Sequence, residues 1–480
     1  MNKILLIVHR DRARAWERAL VSRLEERRWH VAVAHGEPAQ ASASLDAILA
    51  LEARRFGDGL ATPGAALDPV PETGPVDLAV DLTGSASAAN TPVLTLSFSG
   101  QPSYAAGVTR MLATRDLPEL IARLDGVAVA RARPMISDRL WLSRASTELL
   151  AGAISLVEHC VARFTLGQLT PLDDAPSTPK AENRGFVLPY LSNLVPQVAG
   201  RLRSKLAATR PFYWQTGIRP LPEAGDVAHS GRMEGAAFAT LRDDGSVFYA
   251  DPFLVAHGGR PYLFVEAFPY ATGRGVVAVA EQGSEGQFQT PRVVLEESYH
   301  LSYPQVFAHD GEMFMLPEGG AGRELVLYRA TAFPDAWVRD TVLLDNHEIG
   351  DATLLVRDGR YWLFATERFG VGSISDTMVI YSSDSLRGPY QPHPLNPIVV
   401  DRAAARPGGA FIAIDGRTYL PVQDGTESYG GGLGLVELVE LDEAHVRFGP
   451  VRPIEPGSAC PRPIHTLNAA AGFEAVDWSA

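Results

Sequence analysis

Asp251-Pro252-Phe253-Leu254-Val255, followed by Pro261-Tyr262-Leu263-Phe264, reads as a polar residue, an apolar strand, a turn and an aromatic-rich strand. The order returns at Tyr303-Pro304-Gln305-Val306-Phe307 with Glu312-Met313-Phe314-Met315. It returns again at Asp351-Ala352-Thr353-Leu354-Leu355 with Arg360-Tyr361-Trp362-Leu363-Phe364, and at Gly409-Ala410-Phe411-Ile412 with Arg417-Thr418-Tyr419-Leu420. A fifth, weaker copy starts near Cys460 with His465-Thr466-Leu467. Successive starts lie roughly 50 residues apart, the length of one four-stranded propeller blade. A β-sandwich also alternates short strands with turns, but it lacks this strand-turn-aromatic recurrence. Residues 212–480 are therefore predicted to form an all-β, five-bladed β-propeller.

Upstream the texture differs, as expected for a multidomain chain of 480 residues. Ile4–Val8, Val31–Ala34, Leu78–Leu82 and Val93–Phe98 read as strands. Trp16, Leu20 and Leu24 mark a helical stripe, and further helices are expected at Asp116–Leu124 and Ser143–Phe164. This alternation predicts an N-terminal α/β, Rossmann-like domain over residues 1–168, with a parallel sheet. Residues 169–211 read as a connector: a Pro-, Asp- and Ser-rich linker over Thr170–Asn183, then a helix over Pro189–Leu206. Leu191, Leu194, Val195, Val198 and Leu202 share one side of that helix and are expected to pack on the protein's own domains. Arg201, Arg203 and Lys205 at its end leave a membrane-surface reading open.

The formal charge of −13 argues against nucleic acid as a partner. Cys160 and Cys460 form neither a disulfide framework nor a metal spacing, which favours a reducing, cytoplasmic location. The apolar run at Ile4–Val8 is short and is followed at once by Arg10, Asp11, Arg12 and Arg14, so a first strand explains it better than a signal peptide. No stretch is long and apolar enough to span a bilayer, although peripheral membrane association remains open. Oligomeric state is not legible.

In a propeller the first strand of each blade lines the central channel, and its opening residues gather at one mouth. That gathers Asp251, Ser302 with Tyr303, Asp351, Arg406 and His465, with His300 just ahead of the second blade. Residues ending the second strands stand behind: Glu266, Glu318, Glu367 and the pair Gln423-Asp424. Paired carboxylates suit glycosyl transfer, one taking a proton and the other donating one or holding charge. Asp251, Asp351 and Glu318 are the catalytic candidates. Arg406 and His465 are expected to meet a phosphate or sugar carboxylate, and Tyr303, Tyr429 and Trp214 to stack on a sugar ring. Each has a plainer reading: Asp251 and Asp351 as turn caps, Glu318 as a partner of Arg323 or of a backbone amide, Arg406 as a tie between blades, and the histidines as hydrogen-bonded core. No metal site is expected.

Ser298-Tyr299-His300-Leu301-Ser302-Tyr303-Pro304-Gln305-Val306-Phe307, with Met315-Leu316-Pro317-Glu318-Gly319, resembles the N-terminal domain of plant glucosamine inositolphosphorylceramide transferases. So do Leu327-Tyr328-Arg329-Ala330 with Phe333-Pro334-Asp335-Ala336-Trp337, Tyr361-Trp362-Leu363-Phe364, Asn396-Pro397-Ile398, and Gln423-Asp424 with Tyr429-Gly430. The likeness runs over about residues 230–470. Those proteins carry their recognised glycosyltransferase domain beyond this region, so the resemblance implies a glycan-linked propeller without handing over ceramide chemistry. Tyr249-Ala250-Asp251-Pro252 is similar to the arabinanase/xylosidase class of five-bladed glycosidases, which implies a general base at Asp251. That class places further carboxylates at the next two blade starts, where Ser302-Tyr303 and Asp351 stand here, so its triad is not intact. Val76-Asp77-Leu78-Ala79-Val80-Asp81-Leu82-Thr83-Gly84, Leu96-Ser97-Phe98-Ser99-Gly100 and Leu124-Asp125-Gly126-Val127 resemble a formyltransferase-type Rossmann domain. Ser99-Gly100-Gln101 stands where that family's catalytic His falls, and no Asn–His pair precedes it. The resemblance therefore implies a repurposed, catalytically degenerate fold.

These readings predict a glycosyltransferase-like protein of polysaccharide or glycolipid biosynthesis, with a sugar donor or acceptor at the channel and a nucleotide-sugar donor as its possible co-substrate. A five-bladed glycoside hydrolase and a non-catalytic glycan-binding scaffold are the alternatives.

Overall fold

A computed structural model describes residues 3–38, 42–71, 74–84, 91–114, 116–172, 187–206, 212–221, 226–284 and 286–479. The chain divides into two compact units, Met1–Thr209 with Phe369–Ser373, and Arg210–Arg368 with Ile374–Ala480.

The first unit is built on β1 (Lys3–His9), β2 (His30–Gly36), β3 (Leu78–Asp81), β4 (Val93–Phe98), β5 (Leu120–Leu124) and β6 (Val127–Ala132), in the sheet order β2-β1-β3-β4-β5-β6. The first three pairings are parallel, as expected, and the last two are antiparallel, so the sheet is mixed. The helices are α1 (Ala15–Glu26), α2 (Ala43–Phe56), α3 (Tyr104–Thr114), α4 (Leu142–Thr165) and α5 (Val187–Leu206). On α1 the stripe Trp16, Leu20 and Leu24 is buried, as its spacing predicts. The helix expected at Asp116–Leu124 is instead strand β5, and helix α3 precedes it. Asp125-Gly126 explains the difference: both residues have positive φ, 48° and 84°, forming the two-residue turn that joins β5 to β6 as a hairpin.

Most of the expected linker lies outside the described residues, but its helix is present as α5. The expectation that its apolar row packs inward is corrected. Leu194 is half-buried, but Leu191, Val195, Val198 and Leu202 are exposed, and α5 turns Tyr190, Asn193 and Gln197 towards its own unit.

The second unit is a five-bladed propeller. Blade 1 holds Val247–His257, Arg260–Pro269, Val276–Glu281 and Arg292–Leu295; blade 2 holds Ser302–His309, Glu312–Glu318, Glu324–Ala332 and Ala336–Asp345. Blade 3 starts with Glu348–Arg357 and Arg360–Arg368, and blade 4 with Ile412–Ile414 and Arg417–Gln423. Blade 5 is made from both ends of the unit. Thr466–Ala470 and Phe473–Ser479 supply its inner hairpin, and Trp214–Pro220 joins antiparallel as the next strand, from Trp214↔Ser479 to Pro220↔Phe473. This joins the two ends of the unit in one sheet and closes the ring.

The apolar cores lie between neighbouring blades. Tyr262, Phe264 and Val279 of blade 1 meet Val306, Met315 and Tyr328 of blade 2, and Trp362, Phe364 and Ile380 of blade 3 meet Leu420, Val422 and Val436 of blade 4. Strands buried on both faces, such as Thr377–Ser383, follow from sheets packed against a blade on either side.

Candidate functional site

Blades 1, 2 and 3 share one local device. The first strand slips register between Ala250 and Phe253, between Ser302 and Gln305, and between Gly350 and Thr353. Inside each bulge stands a non-glycine residue in the left-handed region: Asp251 (φ 49°), Tyr303 (φ 47°) and Asp351 (φ 47°). Such a conformation is uncommon for non-glycine residues and persists only where the surroundings fix it. Here the surroundings are hydrogen bonds between the blades.

Asp251 is buried, and its Oδ2 accepts the Tyr303 amide at 3.2 Å. Its own amide donates to Asp477 Oδ2 at 2.8 Å, while Asp477 Oδ1 accepts the amide and hydroxyl of Thr466, each at 2.8 Å. Nδ1 of His465 lies 3.1 Å from Asp477 Oδ2 and 3.5 Å from Asp251 Oδ1. Two atoms of this group are buried without a hydrogen-bond partner among the described residues: Asp251 Oδ1 and His465 Nε2. Burial, reinforced by the acids around it and opposed by His465, pushes the Asp251 carboxyl up to about 7. Burial works against the charged imidazolium of His465, but Asp477 and Asp251 outweigh it and raise its pKa to about 9.

A second group forms around Arg406. Its Nε donates to Asp351 Oδ2 at 2.6 Å, and its Nη2 donates to Asp351 Oδ1 at 3.1 Å and to Glu318 Oε2 at 2.9 Å. Glu318 Oε2 also accepts the Asp351 amide at 2.9 Å, and Gln423 Nε2 donates to Asp351 Oδ2 at 2.6 Å. Burial pushes the Asp351 carboxyl up against the pull of Arg406. For Glu318 burial is outweighed by Arg406 and the Asp351 amide, and its pKa falls.

The fold thus brings Asp251, Asp351, Glu318, Arg406, Gln423 and His465 into two hydrogen-bonded groups linked through Tyr303. Glu266 joins at the rim, with Oε1 3.2 Å from Nε2 of His300, whose Nδ1 accepts the Gly275 amide at 2.9 Å. Burial lowers the His300 pKa, but Glu266 outweighs it and the net shift is upward. Ser302 is buried in the strand that pairs with Glu318.

Several expected roles do not fit. Tyr303 offers no face to a sugar: it is fully buried, packs edge-on against Phe253, and its hydroxyl accepts the Gly409 amide at 2.6 Å and pairs with Thr353 at 2.9 Å. Trp214 is buried against His465, with ring centroids 4.6 Å apart. Arg406 does not wait for an anion, because two carboxylates and Ser375 already take its donors. Glu318 pairs with Arg406 and not with Arg323, which bonds Asn346. Asp424 Oδ1 accepts the Thr426 amide at 2.9 Å, a turn within its own loop. Glu367 is engaged by His347 at 2.6 Å and by the Tyr381 hydroxyl at 2.7 Å. It sits one residue past the register position of Glu266 and Glu318, and Thr366 occupies that position, so the pleat turns Glu367 to the other face. Tyr429 remains the partly exposed aromatic, 5.7 Å from the Arg406 guanidinium.

The sequence reading missed Asp477. Its signal was present, since Asp477 pairs with Thr466 as Glu266 pairs with Ala250 and Glu318 with Ser302. Asp251, His465 and Asp477 also bring one ligand atom each within 4.8 Å of one another, a spacing a cation could share.

Residues 234–451 match the family described as glucosamine inositolphosphorylceramide transferase 1, N-terminal, which bears out the resemblance expected for the propeller. Glucosamine inositolphosphorylceramide transferase 1 of Oryza sativa subsp. indica is 38% identical over 213 residues, 43% of this chain and 28% of the relative. Its counterpart in Arabidopsis thaliana is 34% identical over 206 residues, 42% of this chain and 27% of the relative. The chain therefore spans under a third of the length of these relatives. Among solved structures, the Cellvibrio cellulosa α-L-arabinanase complexed with arabinohexaose is 18% identical, covering 43% of this chain and 78% of that one, with a TM-score of 0.33. RS223-β-xylosidase is 15% identical, covering 46% and 79%, with a TM-score of 0.33.

Proposed function

We propose that the propeller binds a carbohydrate at the channel mouth by its hydroxyls, and that the protein is glycosyltransferase-like, acting in polysaccharide or glycolipid biosynthesis. The observation that carries this reading is Asp251 Oδ1, a buried carboxylate oxygen with no hydrogen bond among the described residues and with His465 Nδ1 standing off at 3.5 Å. A buried acceptor of that kind calls for a donor from water or a ligand, and a sugar hydroxyl supplies one. With its pKa near 7, Asp251 suits the base that takes the proton from an attacking acceptor hydroxyl. Asp351, Glu318 and Gln423 hold the neighbouring wall rigid, and Tyr429 offers a ring face at the rim.

Arg406 is taken by Asp351, Glu318 and Ser375, and His465 and His300 lie against Asp477 and Glu266, so these cations are already matched. That arrangement favours the neutral sugar of an acceptor over the diphosphate of a nucleotide-sugar donor. Hydrolysis is the weaker reading. It needs a second carboxyl free to give its proton to the leaving group; Glu318 is held low, and Asp351, although burial pushes it up, has both oxygens engaged by Arg406 and Gln423.

The relatives' name supports a lipid-linked sugar as the acceptor. We read the first unit as a formyltransferase-like fold repurposed for binding, a reading supported by its three parallel pairings and by Ser99-Gly100-Gln101 where a catalytic histidine would stand. Cys160 and Cys460, both free and buried, support a cytoplasmic location.

The test is a thermal-shift and calorimetry screen of neutral glycans, glycolipid headgroups and nucleotide sugars against wild type and Asp251→Asn. A neutral sugar that stabilises the wild type, with at least tenfold weaker binding to the variant, is the expected result. Carbohydrate binding that ignores the substitution, or no carbohydrate binding at all, overturns the assignment.

A further inference from the structure

Helix α5 is turned the wrong way for a helix that faces only water and its own core. The residues it directs inward, Tyr190, Asn193 and Gln197, line a cavity of about 280 Å³ together with Met111, Leu112 and Leu142. Outward stand Leu188, Leu191, Val195, Val198 and Leu202, which are 77%, 46%, 62%, 36% and 56% exposed. At ~100° per residue these five fall within an arc of ~80°. Val187, also exposed, lies beside them. Single apolar residues at a surface are ordinary, but a continuous row of this length marks a contact face.

Charge says what the face meets. The chain has a formal net charge of −13, yet α5 carries Arg201, Arg203 and Lys205 and no acidic residue. On the same wheel Arg201 and Arg203 flank the apolar arc on opposite sides, each ~60° beyond its edge. Both are exposed. The ion pair of Arg201 with Asp138, at 3.0 Å, is solvent-exposed and therefore weak. An apolar row bordered on both sides by arginines is the pattern of a helix lying in a lipid headgroup layer.

We infer that α5 docks the protein on an anionic lipid surface, with Leu188, Leu191, Val195, Val198 and Leu202 sunk among acyl chains and the arginines at headgroup level. A second copy of the chain fits the face less well. Coiled-coil pairing needs an unbroken supercoiled helix, whereas α5 contains Pro196, whose missing N–H interrupts the ladder. Among the described residues no helix is long and apolar enough to cross a membrane, so the helix lies on the bilayer and does not span it. This docking stands apart from the chemistry of the channel and survives if the carbohydrate assignment fails.

The test is co-sedimentation of the full chain with vesicles of phosphatidylcholine alone and of phosphatidylcholine mixed with phosphatidylglycerol. Binding to the mixed vesicles, absent from the neutral ones and reduced by added salt, is expected. The combined variant Leu191→Ser, Val195→Ser, Leu202→Ser alters only exposed positions, so its unfolding temperature should match the wild type while vesicle affinity falls on the order of a hundredfold. Arg203→Gln should weaken binding roughly fivefold. Failure to bind anionic vesicles at low salt, or binding that the serine variant retains, overturns the inference. So does a wild-type dimer, seen by light scattering, that the serine variant converts to monomer, which would assign the face to a second copy.

Discussion

Asp251 and His465 shape the pH response of the propeller in opposite regions. In the unfolded chain Asp251 ionises near 3.8, and in the fold near 7, so folding favours its proton. Its contribution to stability is complete below the lower value and is lost as pH rises through the higher one. His465 moves from 6.5 unfolded to about 9 folded, so its contribution holds below 6.5 and is lost as pH rises through 9. Asp251→Asn is therefore expected to gain stability relative to wild type as pH climbs from 4 to 7, on the order of 2–4 kcal/mol by neutral pH. His465→Gln is expected to be the less stable protein at neutral pH, with the gap narrowing as pH rises from 6.5 and closed above about 9. Thermal unfolding across this range reads both, and curves that run parallel to wild type would remove the electrostatic picture of the site. At this scale the placement of polar side chains was legible wherever a blade start carried one. Asp251 and Asp351 stand where the repeat puts them, each buried at the opening of a first strand. Glu367 was misplaced by one residue although counting could have corrected it: Glu266 and Glu318 stand fifteen positions after Asp251 and Tyr303, and the same count from Asp351 ends on Thr366. The saturation of Arg406 could not be read, because its partners come from other blades, tens of residues away.

At the scale of elements, the decisive piece is the strand Trp214–Pro220, which holds the ring shut. Arg219 fastens it. Its Nε donates to the fully buried Glu474 of the neighbouring strand at 2.6 Å, and its Nη1 reaches the carbonyls of Glu234 and Ala236, each at 2.7 Å. Glu474 Oε2 in turn accepts the Val227 amide at 3.1 Å. Removing one member of a buried pair leaves the other charge without compensation, which costs about 3–5 kcal/mol. Arg219→Met should therefore lower propeller stability by roughly that amount in denaturant unfolding, while the double variant Arg219→Met, Glu474→Leu recovers much of the loss. A single variant as stable as wild type would mean that the pair does not secure the closure. The repeat itself announced five blades, but the joining of Trp214–Pro220 to the last hairpin was not announced, since local pattern carries no record of which distant strand completes a sheet. The opposite failure occurred at β5. Its hairpin was encoded locally by Asp125-Gly126, and the run before it was read as helix only because Leu120, Ile121 and Leu124 also suit a helical spacing.

For the whole molecule, closure has a consequence for how the chain can be divided. Each of the five blades draws its strands from within residues 212–480, and among the described residues the cores between blades 1 and 2, 3 and 4, 4 and 5, and 5 and 1 are built from that span. A ring sealed by strands at both of its ends stabilises only when both ends are present, because each blade buries its faces against two neighbours. A fragment of residues 210–480 should accordingly fold by itself, with a β-type circular dichroism spectrum and one cooperative thermal transition. Shortening the same fragment to end at residue 471 removes Phe473–Ser479. That strand pairs with both Thr466–Ala470 and Trp214–Pro220, and it carries Asp477, which accepts the Asp251 amide. The shortened form should lose the cooperative transition altogether, and with it the geometry around Asp251. If the shortened fragment instead melts cooperatively at the temperature of the longer one, closure is not what holds the propeller, and the conformation of Asp251 must be secured within blade 1 alone.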